Sequence, residues 1–542
     1  MLGASRSVGP NVHGLEFRLE FLIGLLGIVA LLAQLARMVG VPYPIFLVLG
    51  GIGVGLVPAF PDVVLPPEVI FLVFIPPLLL SAALSSSPRD LRAHARPIGL
   101  LSVCLVLLTT GTVAAAAHWV IGLPWAAAFV LGAVVAPTDP VAAEATFRRL
   151  GVPDRVYTIV GGESIINDGT ALVGYNIAVA AVVTGTFSLL GAGLEFLLVS
   201  GGGIIIGAVV ARLVAPLYRR LTDPTILVVF TLIPAYASYI LAERIGASGI
   251  LAVVTLGLYV GWQAPKFFTA RARVHSYSFW EVLTFLMDSL LFILVGLQFP
   301  VILNGMSEYS FAQLLLYAAL VCGAVIGLRL LWFLFAPSST PALDRLLRTR
   351  YLRAPWQERL VMGWSGMRGA VSLAAALAVP LQTQAGAEFP QRDLILFLTY
   401  SVIFATLIFQ GLTLPFLILH LGVRDEGNDA RMAELGARLK ATHAALGKLD
   451  AICDDENRPD RSRERLREIY EERIRRYEAG LEAGHVTDEY QESSAAWSRW
   501  RRELFDAERE TVVSLRDAGE INADVMRRVE RDIDLEELRQ SG

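Results

Sequence analysis

Charged side chains are sparse before Arg424, and among those that interrupt the apolar runs there four polar clusters stand out. One is Ala136-Pro137-Thr138-Asp139-Pro140, a Thr-Asp pair with proline on either side. Each proline lacks an N–H and frees a carbonyl one turn back, so a helix broken here turns backbone groups towards a cavity. A second is Gly162-Glu163-Ser164-Ile165-Ile166-Asn167-Asp168-Gly169-Thr170. Helical spacing puts Ser164 and Asp168 on one face, and Glu163 and Asn167 on the adjacent one. A third, Trp364-Ser365-Gly366-Met367-Arg368-Gly369-Ala370-Val371-Ser372, sets Arg368 among small residues that let another backbone come close. The fourth is Met287-Asp288-Ser289. A central Asp or Arg in hydrocarbon costs about 2.5–3.5 kcal/mol on insertion scales, so such residues persist mainly for pairing or for function.

The residue types define the chemistry. Carboxylates, hydroxyls and freed carbonyls are the oxygen donors that a hard cation takes. Desolvation disfavours the charged form of any carboxylate, which makes a proton a real competitor for it. Protonation cancels the charge that attracts the cation, so the two ligands exclude each other at one carboxylate. Asp168, with Ser164 on its face and the broken backbone of Thr138 and Asp139 available, meets that description. Glu163 reads differently, as the neutraliser of a buried arginine. Arg368 cannot shed its charge and needs a carboxylate; Glu163 and Asp288 are the candidates. For Asp288 a functional and a structural role are balanced, and Arg329 is placed to pair with it or to snorkel. Glu144, Glu195 and Glu243 are less telling, since Glu144 and Glu243 fall near predicted helix ends.

These clusters need membrane helices to position them. Of the 542 residues 54% are hydrophobic, and the mean hydropathy of +0.56 is too high for a soluble globular chain of this length. Thirteen segments are long and apolar enough to cross a bilayer, near 17–38, 43–59, 68–86, 97–119, 122–147, 156–184, 188–215, 224–242, 247–263, 280–300, 310–336, 358–380 and 393–421. They are called segments 1 to 13. The first shows no cleavable signal pattern. Alternate connections carry the basic residues: Arg37; Arg89, Arg92 and Arg96; Arg148, Arg149 and Arg155; Arg219 and Arg220; Lys266, Arg271 and Arg273; Arg345, Arg348, Arg350 and Arg353. The intervening ones, such as Pro61 to Glu68 and Gly185 to Ser188, carry almost none. Basic connections stay in the cytoplasm, so the expected N-terminus is outside the inner membrane and the C-terminal region inside. Residues 1–423 then form a membrane domain. Residues 424–542, rich in Arg and Glu, form a cytoplasmic helical tail with expected helices at Arg461–Ala483, Glu489–Ala518 and, after a turn at Gly519, Ala523–Arg539. Cys104, Cys322 and Cys453 have no metal-ligand or redox spacing.

The runs Ala136–Val141, Gly162–Gly169 and Gly366–Ser372, in that order, resemble the monovalent cation:proton antiporter-1 family, and among its members the bacterial NhaP-like sodium/proton exchangers. Leu80-Ser81-Ala82-Ala83-Leu84 after Pro76-Pro77, Ser248-Gly249-Ile250-Leu251-Ala252 and Gln410-Gly411-Leu412-Thr413-Leu414-Pro415 add to the likeness, which covers the whole membrane domain. The tail from Gly519 to Leu535 is similar to tails of some bacterial members. The resemblance implies an all-α polytopic fold of about 13 transmembrane helices with inverted repeats. Segments 1–3 and 8–10 would form a dimerisation domain, and segments 4–6 and 11–13 a core in which broken segments 5 and 12 cross. It also implies roles. Asp168 binds the cation or the proton; Asp139, Thr138 and Ser164 help coordinate; Glu163 pairs with Arg368; Asn167 steadies the crossing. In one departure, asparagine often stands in the family where this chain has Asp288, which leaves a second charge in the membrane domain.

The expected activity is sodium/proton exchange in the service of pH homeostasis, by a homodimer in the lipid bilayer with no cofactor and no nucleic-acid partner. Lithium or potassium is the alternative cation. A channel would favour a pore ringed by symmetric subunits, not one buried cluster with broken helices. An aspartyl-protease-like dyad of Asp139 and Asp168 is disfavoured by the neighbouring Arg and Asn and by the lack of any further acid or base.

Overall fold

The computed structural model describes all residues except 1–9, 58–65, 222, 307, 336–353, 425–427, 457–460, 483–503, 519, 521, 522 and 542. The basic run Arg345 to Arg353, most of the connection after Pro61, the start of the expected tail helix at Glu489 and the turn at Gly519 lie outside the described residues. Two compact units emerge, residues 1–425 and 426–542.

The first unit is all-helical; no strand occurs among its described residues, only an isolated bridge between Gln382 and Glu388. Among the described residues eight helices are long and apolar enough to cross a membrane: Pro67–Ser85, Ala95–Ile121, Asp154–Thr184, Leu189–Tyr218, Pro224–Arg244, Arg271–Leu303, Phe311–Phe335 and Arg392–Leu421. Shorter apolar helices cover Ile23–Val39, Tyr43–Gly55 and Trp125–Val135. Segment 9 falls on the helix Gly249–Phe267, and each of the other twelve apolar segments falls on one of these helices or on an interrupted pair. Polar side chains fix where several begin. Asp223 Oδ1 accepts from the Thr225 and Ile226 amides at 2.8 and 3.0 Å, and Ser248 and Thr269 cap the starts of segments 9 and 10.

Segments 5 and 12 are interrupted as their prolines and glycines require. Segment 5 is helical over Trp125–Val135 and Val141–Leu150, and segment 12 over Trp356–Trp364 and Ala370–Leu377. Segment 5 packs between segments 4 and 6, and segment 11 lies on segments 4 and 12. Segment 10, which carries Asp288, packs extensively on segment 2. Glycines at their crossing allow the approach: a Cβ on Gly296 would stand 2.3 Å from Val48 O, and one on Gly51 2.3 Å from Ile293 O.

The second unit holds helices Asn428–Glu456 and Arg461–Glu482, packed on each other and joined by an Arg467–Asp450 ion pair. A helix over 504–517 is followed by Ala523–Ser541. Phe505, Val512 and Ile533 are buried together, and Arg509 binds Asp534 at 2.7 Å and also Glu537. Those two carboxylates raise the basicity of the Arg509 guanidinium above its ordinary value.

Candidate functional site

The two helix breaks meet. The Asp139 N–H donates to Met367 O at 2.8 Å, linking the break of segment 5 to that of segment 12. Asp139 Oδ1 accepts from the Val141 N–H at 3.0 Å and so starts the second half-helix. The other carboxylate oxygen lies over Gly369, where a Cβ would stand 1.6 Å from it. Only a residue without a side chain fits at that point.

Thr138 is the knot of the crossing. Its carbonyl accepts from Ser164 Oγ at 2.8 Å and from Asn167 Nδ2 at 3.4 Å. Its hydroxyl accepts from Asn167 Nδ2 at 2.7 Å and donates to Glu163 Oε1 at 3.3 Å. One face of segment 6 thus pins the broken backbone of segment 5. Ser164 spends its single proton on Thr138 and lines the cavity, its oxygen retaining acceptor capacity.

The expected ion pair between Glu163 and Arg368 is not the one formed. Arg329 of segment 11 grips Glu163 instead: Nη2 donates to Oε2 at 2.8 Å and Nη1 to Oε1. Its guanidinium also lies over the Phe333 ring at 5.2 Å. Gly366 clears the path, since a Cβ there would stand 2.3 Å from the Arg329 side chain. Arg368 satisfies its charge by another route. Its Nε donates to Val135 O at 2.9 Å, its Nη1 to Gly366 O, and its own N–H to Thr406 Oγ1 at 3.0 Å. Val135 ends one half-helix, and Gly366 lies just beyond the end of another. Helix C-termini carry roughly half a negative charge each, so one guanidinium answers two backbone ends. Among the described residues no carboxylate lies within ion-pairing distance of it.

Asp168 is half-buried, one turn beyond Ser164, and makes no hydrogen bond or ion pair among the described residues. It lines a cavity of about 770 Å³ together with Thr138, Asp139, Ser164, Glu144 and Asp288. The cavity continues to exposed residues at Ser85, Ser87, Asp90, Arg148 and Glu281, on the side of the basic connections. Towards the opposite side the packing next to Asp168 is apolar. Leu251 packs on Gly169, directly after Asp168, and Val130, Leu131, Val321 and Leu398 belong to a solid apolar cluster.

A family profile described as "Sodium/hydrogen exchanger, transmembrane" matches residues 26–420. The chain belongs to the sodium/hydrogen exchanger family. Over 91% of its length this exchanger is 31% identical to the Na(+)/H(+) antiporter ApNhaP of Aphanothece halophytica, covering 92% of that protein. It is 34% identical, over 74% of its own length and 61% of the relative's, to a "sodium, potassium, lithium and rubidium/H(+) antiporter" of Bacillus pumilus. Its fold matches the sodium proton antiporter MjNhaP1 of Methanocaldococcus jannaschii with a TM-score of 0.60 at 21% identity, over 75% of this chain and 99% of that one. The family is one of antiporters, not enzymes.

Within this exchanger the structure brings Thr138, Asp139, Glu163, Ser164, Asn167 and Arg368 together at the crossing, with Asp168 and Asp288 on the adjoining cavity wall. Sequence reasoning passed over Arg329 as the partner of Glu163, Thr406 as the acceptor of the Arg368 amide, and Glu144 as a cavity residue. A charge count held the signal for Arg329: a buried acid on segment 6 faced two arginines on segments 11 and 12.

Proposed function

We propose that this exchanger trades sodium for protons, one for one, at Asp168. The observation that carries the reading is the isolation of that carboxyl. Every other charged group at the crossing is engaged, Glu163 by Arg329, Asp139 by the start of a helix, and Arg368 by two helix ends. Asp168 lines the cavity without a hydrogen bond or ion pair among the described residues and so can change its ligand. Sodium would take the Asp168 carboxylate, Ser164 Oγ and oxygens of Thr138 and Asp139, a hard-oxygen set suited to it. A proton on Asp168 removes the attraction and releases the ion. Asn167, with the Glu163–Arg329 pair and Arg368, holds the frame.

Segments 4–6 and 11–13 would move as a core against segments 1–3 and 8–10, which would also join two protomers, and carry Asp168 between the two sides. The bias of positive connections supports the open side of the cavity as the cytoplasmic one, and the protein would then sit in the inner membrane with its tail inside. A second reading, potassium/proton exchange, draws on the Bacillus relative, whose name spans four cations.

The test is dissipation of a pH gradient in proteoliposomes on adding sodium, lithium, potassium or a large organic cation. The proposal expects sodium to act at the lowest concentration. A response to potassium alone would select the second reading, and no response to any cation would refute exchange.

A further inference from the structure

Glu144 lies one helical turn after Pro140 and lines the cavity that Asp168 lines. Its two carboxylate oxygens are in different situations. Oε2 accepts from the Tyr157 hydroxyl at 2.9 Å, and that hydroxyl accepts from Arg148 Nη2 at 2.6 Å. The chain Arg148–Tyr157–Glu144 fixes the direction of both protons and the position of the carboxyl. Oε1 has no partner among the described residues and lies over Gly161, where a Cβ would stand 3.1 Å away. Arg148 makes no direct ion pair with Glu144 among the described residues; the tyrosine stands between them. A purely structural pair would put the guanidinium on the carboxylate.

Other charged and titratable groups surround it. Arg148 is on its own helix, Asp139 at the break, Tyr157 on segment 6, Tyr43 on segment 2, and Asp288 and Glu281 on segment 10. Segment 13 also packs against this half-helix, and Leu414 and Ile418 share an apolar cluster with Ala143 and Phe147. The half-helix ends in the exposed Arg148 and Arg149 on the open side, so Glu144 stands between the crossing and the mouth.

We propose that Glu144 is a second proton-binding site, a relay that passes protons between the cavity mouth and Asp168. The inference rests on the exchange reading above. When a cation takes Asp168, the displaced proton moves through cavity water to Glu144 Oε1, and Glu144 then gives it to a base at the mouth. Uptake runs the same steps in reverse. Glu144 returns to its starting state each cycle and adds nothing to the net charge moved. A fixed oxygen with one free lone-pair face, near the exchanging acid and open to solvent, is what general acid–base transfer requires.

The test is the initial rate of radioactive sodium uptake into proteoliposomes against a pH gradient, at low and at high imidazole. Glu144→Gln keeps an acceptor for Tyr157 but cannot titrate. Its rate should fall at least about tenfold at low buffer, return to near wild type when imidazole carries the protons, and show an unchanged sodium KM. Tyr157→Phe should give a smaller loss, also restored by imidazole, and serves if the glutamine variant does not fold. Wild-type rates for Glu144→Gln at low buffer would overturn the relay. So would a loss that imidazole does not restore, or one expressed as a raised sodium KM. Wild-type protein that moves no sodium would overturn both this inference and the exchange reading.

Discussion

Burial and partners divide the charged residues at the crossing into a frame and a working group. Glu163 and Arg329 form a fully enclosed pair, and removing one partner of such a pair strands the other. Breaking a buried pair typically costs about 3–5 kcal/mol. Arg329→Ala is therefore expected to lower the melting temperature and transport together, and Glu163→Gln to do the same. Thermal unfolding in detergent checks this; an Arg329→Ala protein with wild-type melting would remove the pair from the frame. Arg368→Lys is a separate case. A lysine keeps the charge but lacks the fork that reaches Val135 O and Gly366 O at once, so exchange should fall. Transport at the wild-type rate in that variant would contradict the bridging role. The spacing of Asp168, Ser164 and Asn167 was legible in sequence because helical periodicity places them, and Thr138 was legible because a proline on either side marks the break that holds it. The partner of Glu163 was not, because which of two arginines meets it depends on how segments 11 and 12 pack.

At the scale of elements, the breaks carry the site. Pro137 and Pro140 mark one break, readable from the prolines themselves, and the glycines at 366 and 369 mark the other, which the family resemblance implied. The contact between them, Asp139 N–H to Met367 O, was not readable, because no local pattern encodes a meeting of residues so far apart in the chain. Gly369 tests that contact. Gly369→Ala would force a Cβ into the Asp139 side chain, within 2.6 Å of its Cβ as well as 1.6 Å of a carboxylate oxygen, so the whole side chain and not only its tip would have to move. Exchange in reconstituted vesicles is expected to be lost even where the protein remains monodisperse. A fully active Gly369→Ala exchanger would show that the two breaks need not stay in register. Gly366→Ala should act instead through Arg329 and carry a stability loss with it.

For the whole molecule, the composition shift at Arg424 marked where the apolar chain ends, and the compact units divide at residues 425 and 426. The residues of the crossing and of its cavity lie within the first unit. Truncation after Val423 should leave sodium-driven proton movement measurable, with a displaced pH profile; complete loss in a stable, inserted truncation would make the tail part of the transport path. Charge accounting also belongs at this scale. If Asp168 alone alternates between sodium and proton, a full cycle moves no net charge. A membrane potential, which acts on each net charge moved at about 2.3 kcal/mol per 100 mV, then has nothing to act on. Exchange at a potential clamped with potassium and valinomycin should be insensitive to its size. Dependence on potential that disappears in Asp288→Asn would assign a second carried charge to Asp288, which lines the same cavity. The most direct test of the central claim is equilibrium binding of radioactive sodium to the purified exchanger across a pH series, with wild type and Asp168→Asn side by side. Competition at a single carboxyl predicts that, on the acid side, apparent sodium affinity falls about tenfold for each pH unit, and that Asp168→Asn binds no sodium at any pH. Affinity independent of pH in the wild type, or sodium binding retained in Asp168→Asn, would contradict it.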